Sequence, residues 1–120
     1  MRSPLHILLV EDEALLAMEM QMELERAGHF VCHVSATGED AVDRVSEKRP
    51  DLILMDTRLA GKMDGIETAR IILASYSVPV IFITGYSVDS IRQRAEDLHP
   101  YGYITKPVRF DALQRMMAEL

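Results

Sequence analysis

The sequence predicts an α/β protein built on a doubly wound parallel sheet, and three observations carry that reading. Five apolar runs, each about five residues long, recur along the 120 residues. Between consecutive runs lie mixed segments long enough for crossover helices. No linker, internal repeat or low-complexity stretch interrupts the alternation. Strand followed by helix, five times over, is the pattern of parallel strands covered by helices on both faces.

Strands are expected at residues 6–10, 30–34, 52–55, 78–83 and 101–105, where Val, Ile, Leu and aromatic side chains form runs too short for a helix. The first helix is expected over residues 12–27, with Gly28 placed to stop it. The second covers 38–48 and is closed by Pro50, and the third covers 65–74. The fourth covers 88–97, with Pro100 just beyond, and the fifth runs over 109–120. Within the first helix, Leu16, Met20 and Leu24 fall on one stripe at 100° per residue, which suits the core. Leu15, Met18 and Met22 form a second stripe on the opposite side, bordered by Glu19, Glu25 and Arg26. A methionine-bearing stripe turned away from the sheet suits an adaptable partner surface. The plainer account is scattered apolar side chains covered by long charged stems.

Composition narrows the function. Apolar residues make up 48% and charged residues 27%, which excludes a disordered tail, a fibrous repeat and a bare coiled coil. A single cysteine, Cys32, excludes a disulfide framework and a Cys-based zinc site; within a strand it reads as an inert buried thiol. The apolar runs are too short to span a bilayer, and the acids at 11–13 are wrong for a signal peptide, so a cytoplasmic protein without membrane contact is expected. The formal net charge is −6, with 12 acids and 6 bases in residues 1–60 against 7 of each in 61–120. No basic stripe is present, so direct nucleic-acid binding is not expected. His6, His29, His33 and His99 show no metal-triad spacing.

In a doubly wound sheet, ligands bind beyond the carboxyl ends of the strands, where the strand order reverses. Glu11 and Asp12 follow the first strand, Asp56 the third, Thr84 and Gly85 the fourth, and Lys106 and Pro107 the fifth. Two unit charges about 4 Å apart repel by about 4 kcal/mol at an effective dielectric near 20, so gathered carboxylates need a raised pKa or a bound cation. Magnesium takes oxygen ligands in near-octahedral geometry. A lysine and a threonine offer charge and a hydrogen bond to phosphoryl oxygens, and an aspartate can serve as nucleophile. The constellation reads as a phosphoryl-transfer site whose acceptor belongs to the chain. Plainer accounts exist for each part. Glu11 and Asp12 could cap the first helix, Lys106 could be a solvated surface lysine, Thr84 a strand-end hydroxyl and Tyr103 core filling.

Five motifs stand in order at these strand ends: Leu8-Leu9-Val10-Glu11-Asp12-Glu13, Asp51-Leu52-Ile53-Leu54-Met55-Asp56, Asp64-Gly65-Ile66-Glu67, Ile81-Phe82-Ile83-Thr84-Gly85 and Gly102-Tyr103-Ile104-Thr105-Lys106-Pro107. With them the chain resembles, over almost its whole length, the receiver domains of two-component response regulators. The resemblance implies a flavodoxin-like five-stranded sheet of order 2-1-3-4-5 with five helices. It implies one receiver domain over residues 1–120 with no output domain, a phosphoacceptor that catalyses only its own phosphorylation and dephosphorylation. Asp56 would be phosphorylated by a histidine kinase or a histidine phosphotransfer protein. Asp12 and Asp56 would bind Mg2+ directly, Glu11 through water, and Arg58 through its backbone carbonyl. Thr84 and Lys106 would contact the phosphoryl group, Tyr103 would turn inward as Thr84 moves, and the Lys106-Pro107 bond would be cis. The partner's helical bundle would dock on the first helix. The fourth helix, fifth strand and fifth helix would form the readout face and a homodimer contact.

Some residues depart from the common form. The loop from Thr57 to Gly65 is one residue longer, and Ala60 stands where a proline is common. Thr84-Gly85-Tyr86 is similar to a receiver subgroup whose members often lack the aromatic in strand five, yet Tyr103 is present here. Arg58 and Tyr86, which would flank the phosphoryl group, are neither acid nor amide, so a long-lived phosphoaspartate is expected. The rival class is a Mg2+-dependent phosphohydrolase with an aspartyl-phosphate intermediate. Such enzymes typically carry an acid two residues after the nucleophile, where Arg58 stands, and a cap for which 120 residues leave little room. A flavin or nucleotide carrier would need a Gly-rich phosphate loop after strand one, where acids stand instead. A degenerate receiver serving only protein contacts is opposed by the intact acids and Lys106.

Overall fold

The computed structural model describes residues 4–85 and 87–120. Strands β1 (His6–Val10), β2 (Phe30–Ser35), β3 (Leu52–Asp56), β4 (Val80–Thr84) and β5 (Gly102–Thr105) pair in parallel, in the order β2-β1-β3-β4-β5. Helices α1 (Ala14–Arg26), α2 (Gly38–Glu47), α3 (Gly65–Ser75), α4 (Val88–Ala95) and α5 (Phe110–Met117) alternate with them. The architecture and strand order are those expected from the sequence. The order reverses between β1 and β3, which opens the ligand crevice at their carboxyl ends.

Strand periodicity divides the core into two layers. Leu8, Val10, Ile53, Met55, Val80 and Phe82 pack with α2, α3 and α4 on one face. Ile7, Leu9, Leu52, Leu54, Ile81 and Ile83 pack with α1 and α5 on the other. Burial on both faces is why these strands read as continuous apolar runs rather than alternating ones. On α1, Ala17, Met20 and Leu24 are buried, whereas Leu15, Met18 and Met22 are 83%, 59% and 58% exposed. The outward stripe therefore faces solvent over most of its surface.

Several boundaries move for local reasons. α1 begins two residues later than expected, with Glu13 at the N-cap, because Glu11 and Asp12 stay in the extended segment that serves the crevice. Its end is a Schellman turn: Gly28 takes φ +96, its N–H donates to the Glu25 carbonyl, and the His29 N–H donates to that of Leu24. β4 starts at Val80 rather than 78, since Pro79 has no N–H to give the ladder. The fourth helix ends at Ala95 and passes into a 3₁₀ turn, Glu96–Leu98, capped by His99 in the left-handed region. Cys32 corrects the sequence reading. The β1–β2 register skips it between Val31 and His33, so it sits in a bulge on an edge strand and is exposed. Its thiol donates to the Ile7 carbonyl, and desolvation raises its pKa.

Two glycines set how closely the helices approach the crevice. A Cβ on Gly65, at the start of α3, would overlap the backbone carbonyl of Asp56, and one on Gly38 would overlap Thr68 Oγ1. Asp64 caps α3 in a reciprocal box with Glu67, and its second oxygen takes Arg94 of α4 at 2.8 Å. Overpacking of this kind typically costs about 1–3 kcal/mol, so Gly65→Ala should lower the stability measured by urea unfolding by that amount.

Candidate functional site

Glu11 and Asp56 are each 2% exposed, and Asp12 is exposed at the rim. Carboxylate oxygens of all three lie within 4.8 Å of one another. Lys106, at the end of β5, brings its Nζ to 2.8 Å from Asp56 Oδ2 and 3.6 Å from Glu11 Oε1. The other Asp56 oxygen, Oδ1, accepts the Arg58 N–H at 3.0 Å. Thr84 is fully buried and ends β4 one residue beyond Ile83, the β4 partner of Asp56. Its carbonyl accepts the Lys106 N–H at 2.8 Å, which ties the ends of β4 and β5 together. The Lys106-Pro107 bond is cis. A cleft of about 400 Å³, lined by Asp12, Glu13, Asp56, Arg58, Leu59, Gly85 and Lys106, opens onto these groups.

The acids do not serve as helix caps. Glu13 is the N-cap of α1 and makes no side-chain capping bond, while Glu11 turns back so that its Oε2 accepts the Glu13 N–H at 3.0 Å. Burial is the main cause that lifts the Glu11 carboxyl to about 8, aided by the neighbouring Asp56 carboxylate. Burial alone would lower the Lys106 ammonium, but hydrogen bonds to Asp56 and Glu13 hold it above the usual lysine range. Glu11 Oε1 is buried without a hydrogen-bond partner. An unpartnered buried carboxylate oxygen beside two further carboxylates is a donor set suited to a hard divalent cation, which takes oxygen ligands and neutralises their charge. The residues present fit such an ion.

Every site residue expected from the sequence and described here falls in or beside this crevice except Tyr103, which lies behind it. Tyr103 is half-buried on β5, its ring stacked on Phe82 with centroids 6.0 Å apart and the Arg92 guanidinium 5.3 Å above it. Tyr86 lies outside the described residues. The sequence reading missed Glu13 as a site residue. Its Oε1 lies 2.9 Å from Lys106 Nζ, so the ammonium is shared between buried Asp56 and the exposed rim. The only signal was the run of three acids. The histidines are dispersed: His33 Nε2 meets Asp40, His29 Nδ1 accepts the Leu5 N–H, and His6 lies near Asp51.

A sheet of this order, with acids at the ends of β1 and β3 answered by a lysine from β5, defines a signalling receiver module. The model of the response regulator receiver domain matches residues 7–118, and the chain belongs to that family of two-component regulators. It is similar to the phyllosphere-induced regulator PhyR of Methylorubrum extorquens, 46% identical over 81 residues that cover 67% of this chain and 30% of that protein. The signal receiver domain of a modulated diguanylate cyclase from Desulfovibrio desulfuricans G20 superposes with a TM-score of 0.89 at 38% identity, covering 98% of this chain and 93% of that one. The anti-anti-sigma factor PhyR of Bartonella quintana superposes with a TM-score of 0.80 at 30% identity, covering 98% of this chain and 47% of that one. The chain spans 30–50% of the length of the curated relatives it matches. Among the described residues no helix is long and apolar enough to cross a membrane.

The raised Glu11 carboxyl has a consequence for stability in chelator. The folded chain holds that proton more tightly than the unfolded chain, whose carboxyl titrates near 4.5. Its contribution is therefore complete below about pH 4.5 and lost progressively as the pH rises to about 8. Glu11→Gln should flatten the fall in metal-free stability across that interval, read by urea unfolding at a series of pH values.

Proposed function

We propose that the chain is the phosphoacceptor of a two-component relay, taking a phosphoryl group from a phosphohistidine of a histidine kinase or histidine phosphotransfer protein onto Asp56. The observation that carries this reading is the Lys106–Asp56 contact of 2.8 Å inside a cluster of three carboxylates. Asp56 Oδ2 is the attacking oxygen in this reading. It forms the new bond to phosphorus while the bond from phosphorus to the donor nitrogen breaks, and the imidazole leaves with the electron pair of that bond. Lys106 then pairs with the transferred phosphoryl oxygens, and Thr84 donates to one of them. Asp12 and Asp56, the Arg58 backbone carbonyl, and Glu11 through water would hold Mg2+. When bound, that ion offsets the negative charge of the carboxylates and of the phosphoryl oxygens.

The switch follows from the same residues. Movement of Thr84 toward the phosphoryl group vacates space at the end of β4 that the Tyr103 ring can enter. The phosphoryl group biases a pre-existing equilibrium by its differential contacts with the two states. The readout face is formed by α4, β5 and α5, which also serves a homodimer contact. The chain works in the cytoplasm, and its output runs through contact with other proteins rather than with nucleic acid or membrane. The description of the Bartonella relative as an anti-anti-sigma factor and the absence of a basic stripe support that reading.

Exposure to acetyl phosphate with Mg2+, followed by intact mass, tests the acceptor. One added phosphoryl group is expected, lost in Asp56→Asn; an unmodified wild-type chain would contradict the proposal. The exposed stripe Leu15, Met18 and Met22 is proposed as the seat of the donor's helical bundle. Replacing Met18 and Met22 together with Glu should slow transfer from the partner by about tenfold or more, as for loss of a desolvated contact cluster. It should leave the rate with acetyl phosphate intact.

A further inference from the structure

We propose that the N-terminus of α2 braces the loop following Asp56, with Glu39 as a positioning residue for the cation site; the inference rests on the metal reading above. The loop between β3 and α3 is one residue longer than the common form, and it turns at Gly61, whose φ is +94. The loop lies along α2. Thr37, the N-cap of α2, pairs with Ala60 as an isolated parallel bridge, and the Glu39 Oε2 accepts the Lys62 N–H at 3.3 Å. A Cβ on Gly61 would stand 3.1 Å from Glu39 Oε1 and would be strained at that φ, so a side chain there would crowd the carboxylate and disturb the turn.

The same helix end is fastened to the other side of the site. Asp40, in the first turn of α2, accepts the Ser35 hydroxyl at 2.7 Å and meets His33 Nε2 at 3.1 Å. The Ser35 carbonyl in turn accepts the Glu11 N–H at 2.9 Å. One helix terminus thus joins the backbone that carries Glu11 to the loop that carries Arg58. Groups that hold metal ligands in place raise affinity by fixing their orientation before the ion arrives. The carboxylate of Glu39 is engaged with the Lys62 N–H, while Lys106 pairs with Asp56, so the effect of Glu39 falls on cation affinity and not on phosphoryl transfer itself.

The test combines calorimetric titration of Mg2+ with hydrogen exchange at the Lys62 amide in chelator and the acetyl phosphate rate as a function of Mg2+. Glu39→Ala is expected to weaken Mg2+ binding about fivefold, to speed Lys62 exchange, and to leave the rate at saturating Mg2+ within about twofold. Glu39→Gln, whose amide oxygen can accept the same N–H, should stay within about twofold of wild type throughout. Gly61→Ala should weaken Mg2+ binding in the same direction as Glu39→Ala. Wild-type Mg2+ affinity in Glu39→Ala, or equal loss in Glu39→Gln, overturns the brace alone. A wild-type chain that binds no Mg2+ overturns the metal reading and the brace with it.

Discussion

The carboxylates of Glu11, Asp12 and Asp56 are pressed together by the strand order itself, and the Lys106 ammonium standing against Glu11 and Asp56 offsets part of their repulsion. Neighbouring β1 and β3 end side by side, so their terminal acids meet whether or not that is electrostatically favourable. The chain answers with one ammonium, shared between Asp56 and Glu13, and with a Glu11 carboxyl pushed up to about 8. Charge is thereby only partly balanced, which leaves a cluster of oxygen donors suited to a divalent ion.

The surrounding fold serves this meeting point. Gly65 lets α3 start directly against the Asp56 carbonyl, where a side chain would push the strand end away. The Thr84 carbonyl binds the Lys106 N–H, so the lysine cannot be placed without the strand that carries the threonine. Tyr103 sits on the neighbouring strand between Phe82 and Arg92 of α4. These two contacts join β4, β5 and α4.

Much of this was legible in the sequence because it depends on local periodicity and on which residue ends each strand. The five strands, the outward stripe of α1, and the meeting of Glu11, Asp12, Asp56 and Lys106 follow from those two rules, while the core stripe of α1 runs through Ala17, Met20 and Leu24 with Leu16 at its half-buried edge. What escaped depends on pairing between distant segments. The bulge at Cys32 arises from β1–β2 register, which no residue type near position 32 announces. Glu13 looks like one more solvated acid until β5 brings Lys106 across 93 residues to meet it. The docking of the 57–64 loop on α2 likewise depends on helix placement, with the glycine at position 61 as its one sequence trace.

The central claim is that the group accepting phosphorus is the side chain of residue 56 and no other carboxylate in the cluster. Borohydride reduces acyl phosphates but spares free carboxylates and phosphoesters. Reducing the phosphorylated chain with tritiated borohydride and mapping the labelled peptide by mass spectrometry identifies the carrier. Label is expected at Asp56 alone, appearing only when Mg2+ was present during phosphorylation. Label at Asp12 or Glu11, or phosphorylation that resists reduction, would contradict it.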